Sequence, residues 1–104
     1  MPKTVPLLIE TDIRNPDKIT IHPNDGYDLK LYSLTYKIKI FSNCPMENFQ
    51  HSTADFSEGE IILSNDQKPG KVKIHSKYWE KLGKPHKAVL VYEDGKLLVD
   101  TAGV

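Results

Sequence analysis

One cysteine, one arginine and one tryptophan are all that this 104-residue chain holds of those three residue types. A single thiol, Cys44, excludes an internal disulfide, so the fold must rest on packing and hydrogen bonds. Such cysteine usage suits a reducing compartment, and the expected location is cytoplasmic. No dedicated base neighbours Cys44 in sequence, and it reads as a part-buried structural residue. Net charge is missing too, because 14 basic residues meet 14 acidic ones. That balance excludes a protein that coats nucleic acid or an anionic membrane by bulk charge, and leaves a local basic patch as the only electrostatic route to either. No apolar run reaches the roughly 18 residues needed to cross a bilayer. The Met1–Ile9 stretch, broken by Pro2 and Pro6, is too short for a secretory leader.

Motifs for chemistry are absent as well. His22, His51, His75 and His86 are not spaced as zinc ligands. No glycine-rich phosphate loop occurs. Asp55, Glu58 and Glu60 fall in a polar stretch and read as a solvated edge, not as paired catalytic carboxylates. The chain is therefore expected to be non-enzymatic, with no catalytic residues, no metal and no cofactor.

What the sequence does contain is a series of short apolar runs punctuated by turn chemistry. The length is that of one domain, residues 1–104, with a β-rich N-terminal half (1–57) and a second half (58–100). Strands are expected at Val5–Ile9, Lys18–His22, Leu34–Phe41, Glu60–Ser64, Lys71–His75, Lys87–Tyr92 and Lys96–Asp100. The clearest is Leu34–Phe41: Leu34, Tyr36, Ile38 and Ile40 share one face, and Thr35, Lys37, Lys39 and Phe41 the other. Lys37 and Lys39 form a stripe that suits either nucleic acid or a guarded edge strand. Pro23–Gly26 reads as a turn, since Pro presets one φ and Gly accepts a positive one. Asp94-Gly95 is a strong hairpin signal. Ser76 as cap, a Tyr78–Trp79–Leu82 apolar stripe and Gly83 as stop define one short helix over Lys77–Leu82. Residues 42–57 show no period and read as a loop excursion that Phe49 and Phe56 could pin. Residues 101–104 are expected to fray. The fold class is mainly β, a small barrel-like domain with one short helix.

Two segments echo each other. Lys18-Ile-Thr-Ile-His22 matches Lys71-Val-Lys-Ile-His75 at an offset of 53 residues, close to half the chain. A duplicated ββαβ unit would produce this and could close a pseudo-symmetric barrel; chance similarity of short alternating strings is the competing explanation.

The run Gly70-Lys-Val-Lys-Ile74, Lys81-Leu-Gly83, Ala88–Tyr92, Asp94-Gly95 and Leu97–Val99 resembles the swapped-hairpin module of the SpoVT/AbrB–MazE group of transition-state regulators and antitoxins. The resemblance covers residues 60–99. It implies a homodimer whose hairpins interleave, binding DNA through basic residues at Lys68, Lys71, Lys73 and Lys77. Lysines there would contact phosphates, which supply affinity without reading sequence. Two positions depart from the family pattern. His75 stands where the family has Pro, and Trp79 where it has a basic residue. Tyr78 and Trp79 therefore read as a core or interface pair.

The function expected from the sequence is a DNA-binding transcriptional regulator or antitoxin-type homodimer. The alternative is a small protein-binding accessory module, of virus or plasmid type, that masks a host protein. Balanced charge, a lone arginine and the 42–57 excursion favour the alternative.

Overall fold

The computed structural model describes residues 1–102. Among them, seven strands and three short helices follow in the order β1 (Leu7–Asp12), β2 (Lys18–Ile21), α1 (Pro23–Asp28), β3 (Thr35–Ser42), α2 (Met46–Gln50), β4 (Phe56–Leu63), β5 (Lys71–His75), α3 (Ser76–Lys81), β6 (Lys87–Glu93) and β7 (Lys96–Asp100). The strands close into a barrel in the order β1-β5-β2-β4-β3-β7-β6, with β6 returning to β1. The mainly β, barrel-like class expected from strand spacing is the one observed.

Period-two alternation builds the core. Ile19 and Ile21 of β2, Ile38 and Ile40 of β3, Ile61 and Leu63 of β4, and Val72 and Ile74 of β5 all point inward and are buried. Tyr36 is half-buried against them. Leu34, expected on the same face, lies just before β3 and is 73% exposed, so the alternation stops one pair short of the barrel mouth. A second, smaller core lies outside the barrel wall. Phe41 and Leu98 point outward from β3 and β7, yet Phe49 on α2 covers them and all three are buried. Phe41 stacks edge-on to Phe49 at 5.4 Å between ring centroids.

That outer core explains residues 42–57. The expected loop contains α2, and Phe49 pins the helix as anticipated. The Lys96 ammonium donates to the carbonyls of Phe49 and Gln50, at 2.9 and 2.8 Å, and so satisfies the helix's last turn. Strand β3 also proves not to be an edge, because β4 and β7 flank it. Lys37 and Lys39 therefore do not guard a free edge; they face Glu60 and Glu58 across the β3–β4 ladder.

The Pro23–Gly26 turn is corrected to the start of α1. Proline suits the first position of a helix as well as the second position of a turn, since both want φ near −65°. The His22 ring decides between them: its Nδ1 accepts the Asn24 N–H at 3.0 Å and caps a helix. Helix α3 begins one residue earlier than expected, with His75 in place of Ser76 as cap, Nδ1 accepting the Lys77 N–H at 3.1 Å. The Asp94-Gly95 hairpin forms as expected, with φ of 46° and 78°. At the C-terminal end, Thr101 is held to Asn43, its N–H donating to Asn43 Oδ1 at 2.7 Å; of the four residues expected to fray, 103 and 104 lie outside the described residues.

The sheet order shows two interleaved strand pairs. β5 inserts between β1 and β2, and β2 inserts between β5 and β4. β1–β5 and β2–β4 are parallel, and β2–β5 antiparallel. The antiparallel pairing sets Thr20 opposite Lys73, positions that are also 53 residues apart. The echo segments thus meet about a local pseudo-two-fold axis through that pair. Their equivalence runs on through the helices: His22 and His75 cap alike, Leu29 and Leu82 end the helices, and Lys30 and Gly83 then take positive φ, 59° and 88°. The interleaving of the two strand pairs is made within a single chain.

Candidate functional site

The four lysines singled out in the sequence do not form one cluster. Lys68 is exposed in the β4–β5 connection, beside the buried Gln67, whose amide donates to Glu10 Oε1 at 2.8 Å and to the Lys71 carbonyl at 3.3 Å. Lys71 and Lys73 project outward from β5 next to β1, where the register sets Glu10 opposite Lys73. The Lys71 ammonium lies 3.8 Å from the Glu10 carboxylate. Half-exposed ion pairs of this kind add little stability, but they do cancel local charge. Lys77 is exposed on α3, past the end of β5.

The structure instead groups Lys77 with two lysines that sequence reasoning did not select. Lys18 on β2 and Lys81 on α3 join it around a pocket of about 230 Å³, together with Asp17, His75 and Tyr78. Lys77 and Lys81 are four apart on one helix and share a face by helical geometry. That spacing was visible in the sequence; Lys18 reaches them only through the interleaving of β2 and β5. Three lysines against one carboxylate make this a basic concavity on a chain of zero net charge.

Beneath it, His75 is 8% exposed. Its Nδ1 accepts from Lys77, which in the neutral ring puts the proton on Nε2. Nε2 makes no hydrogen bond to the described residues and is open to solvent. Tyr78 and Trp79 turn inward and pack against the main core. The Tyr78 hydroxyl shares a 2.6 Å hydrogen bond with Ser42 Oγ, and burial pushes its pKa up to about 12. The Trp79 indole N–H donates to the Pro85 carbonyl at 2.8 Å. Both aromatic residues are thus largely occupied within their own chain.

Two other surfaces stand out. An open groove of about 800 Å³ is lined by Lys37, Lys39 and Lys96 but also by Asp17, Glu58 and Glu60, so its charge is mixed. At the α1–β3 connection Tyr27, Tyr32 and Leu34 are 68%, 67% and 73% exposed, and the two tyrosine rings stack edge-on at 5.3 Å. Among the described residues no helix is long and apolar enough to cross a membrane. No protein-family model, curated protein or solved structure matches the chain.

Proposed function

We propose that the chain is a non-enzymatic, cytoplasmic DNA-binding regulator that acts as a homodimer and holds the phosphate backbone. The observation that carries this reading is the basic concavity where β5 runs into α3, with Lys77 joined by Lys18 and Lys81. Lys68 and Lys73 extend the contact along β5, and Lys71 contributes less because Glu10 lies beside it. The interleaved strand pairs support the swapped-hairpin resemblance behind the reading, and the single free thiol Cys44 supports the location. With one arginine in the chain, base reading is weak and shape and phosphate contacts dominate. A homodimer on this fold joins two finished barrels. The test is fluorescence anisotropy with a duplex over rising salt. Affinity should fall steeply as salt rises, and Lys77→Gln with Lys81→Gln should reduce the slope by about 2. No binding at low salt overturns the proposal.

A second reading is favoured by the exposed Tyr27, Tyr32 and Leu34 set: a protein-binding module whose partner covers that surface. Large apolar side chains gathered in the open mark contact sites more often than single ones do. A one-chain mass in solution with no duplex binding would favour this reading over the first.

A further inference from the structure

We propose that the pocket between β2 and α3 seats one phosphate-sized oxyanion. The His75 Nε2–H is its ring donor, and Lys18, Lys77 and Lys81 outweigh the one carboxylate there, Asp17. This deepens the DNA reading by assigning the place one backbone phosphate would take, and it can be tested apart from that reading.

Three observations carry it. First, His75 is more than nine-tenths buried as a residue and lines the pocket, while its second ring nitrogen has no protein partner among the described residues and is open to solvent. A donor that opens to solvent only through the pocket can exchange its water for an anion's oxygen. Second, Lys18 from β2 and Lys77 and Lys81 from α3 line the same concavity, against the single carboxylate of Asp17. Third, the molecule contains its own control. The 53-residue equivalence places Asn24, Asp25 and Asp28 of α1 where α3 has Lys77, Tyr78 and Lys81. Both helices have a histidine cap and the same ending, so the backbone does not dictate the charge. One copy is acidic, and its Asp25 is engaged in accepting the Gly70 N–H at 2.9 Å. The other is basic and open. The charge of the pocket is therefore a property of this copy alone.

The test is a titration of the full chain with inorganic phosphate at constant ionic strength, followed by ¹H–¹⁵N NMR. Saturable shifts are expected at the Lys77 and Tyr78 amides and at the His75 ring Nε2. In His75→Asn the amide oxygen still caps α3 while the ring donor is gone, and affinity should drop roughly tenfold. Lys81→Gln, at an exposed position, provides a second variant independent of the cap and should also weaken binding. Shifts that never saturate, or binding unchanged in both variants, overturn the proposal. A duplex arm separates it from the reading above. Duplex binding without phosphate saturation overturns the pocket and leaves DNA binding standing; phosphate saturation without duplex binding does the reverse.

Discussion

Two residues show how local environment sets a testable quantity. Burial raises the Tyr78 hydroxyl from 10.0 to about 12, with the Ser42 hydrogen bond opposing the shift. A raised pKa in the folded state means that the stabilisation is complete below pH 10, where the unfolded chain is also protonated. It is lost as pH climbs from 10 toward 12, because the unfolded chain ionises first. Two units correspond to at most about 2–3 kcal/mol. Urea unfolding at stepped alkaline pH should show this loss in the wild type and a shallower one in Tyr78→Phe, which keeps every lysine titration but removes the phenol. Equal slopes would mean that the hydroxyl is not buried as described. Gly59 is the second case. A Cβ there would lie 2.3 Å from the Asp17 carbonyl oxygen and 2.8 Å from Ile40 Cδ1. The backbone contact cannot yield cheaply, since Glu60 N–H donates to that same carbonyl at 2.8 Å. Gly59→Ala should cost about 1–3 kcal/mol in a chemical melt, and a neutral result would show that the β2 approach can open.

At the scale of elements, the outer core and the caps make separate predictions. α2 has five residues, too few to be helical alone. Phe49 holds it on Phe41, Val91 and Leu98. Phe49→Ala should cost about 3–5 kcal/mol and raise amide exchange across 46–57 before the rest of the barrel; uniform exchange would show that α2 is not a separable lid. His22→Ala should cost about 1 kcal/mol through the lost cap, with His22→Asn close to wild type in the same melt. These elements also mark how far the sequence could be read. Strands with one wet face, such as β2 and β3, declared themselves by alternation, and Asp94-Gly95 by turn chemistry. α1 did not, because Pro-Asn-Asp-Gly satisfies a turn and a helix start equally until the His22 ring is placed. α2 did not, because its stability comes from residues 41, 91 and 98. The basic pocket was half legible: Lys77 was selected, while Lys18 required knowledge that β2 lies beside β5.

For the whole molecule, the governing feature is that the two halves interleave instead of docking. β5, from the second half, sits between β1 and β2 of the first, and β2 sits between β5 and β4. A cut at residue 57 leaves β2 without either neighbour and leaves β4 and β5 with no strand between them. It also parts Thr4, whose Oγ1 accepts the Leu90 N–H at 3.1 Å, from β6. Every such strand exposes unpaired backbone and an apolar face, a state that short sheets do not sustain in water. Pairing so distant in sequence should also make folding slow and all-or-none. Fragments 1–57 and 58–104, expressed separately, should therefore show no folded monomer by circular dichroism and light scattering. Mixed together, they should recover the barrel spectrum. The local pseudo-two-fold axis adds a sharper expectation for 58–104: if it folds alone, it does so as a dimer in which a second β5 takes the place of β2. A folded monomer of either fragment would overturn the account of one interleaved unit, and with it the claim that the basic pocket needs strands from both halves.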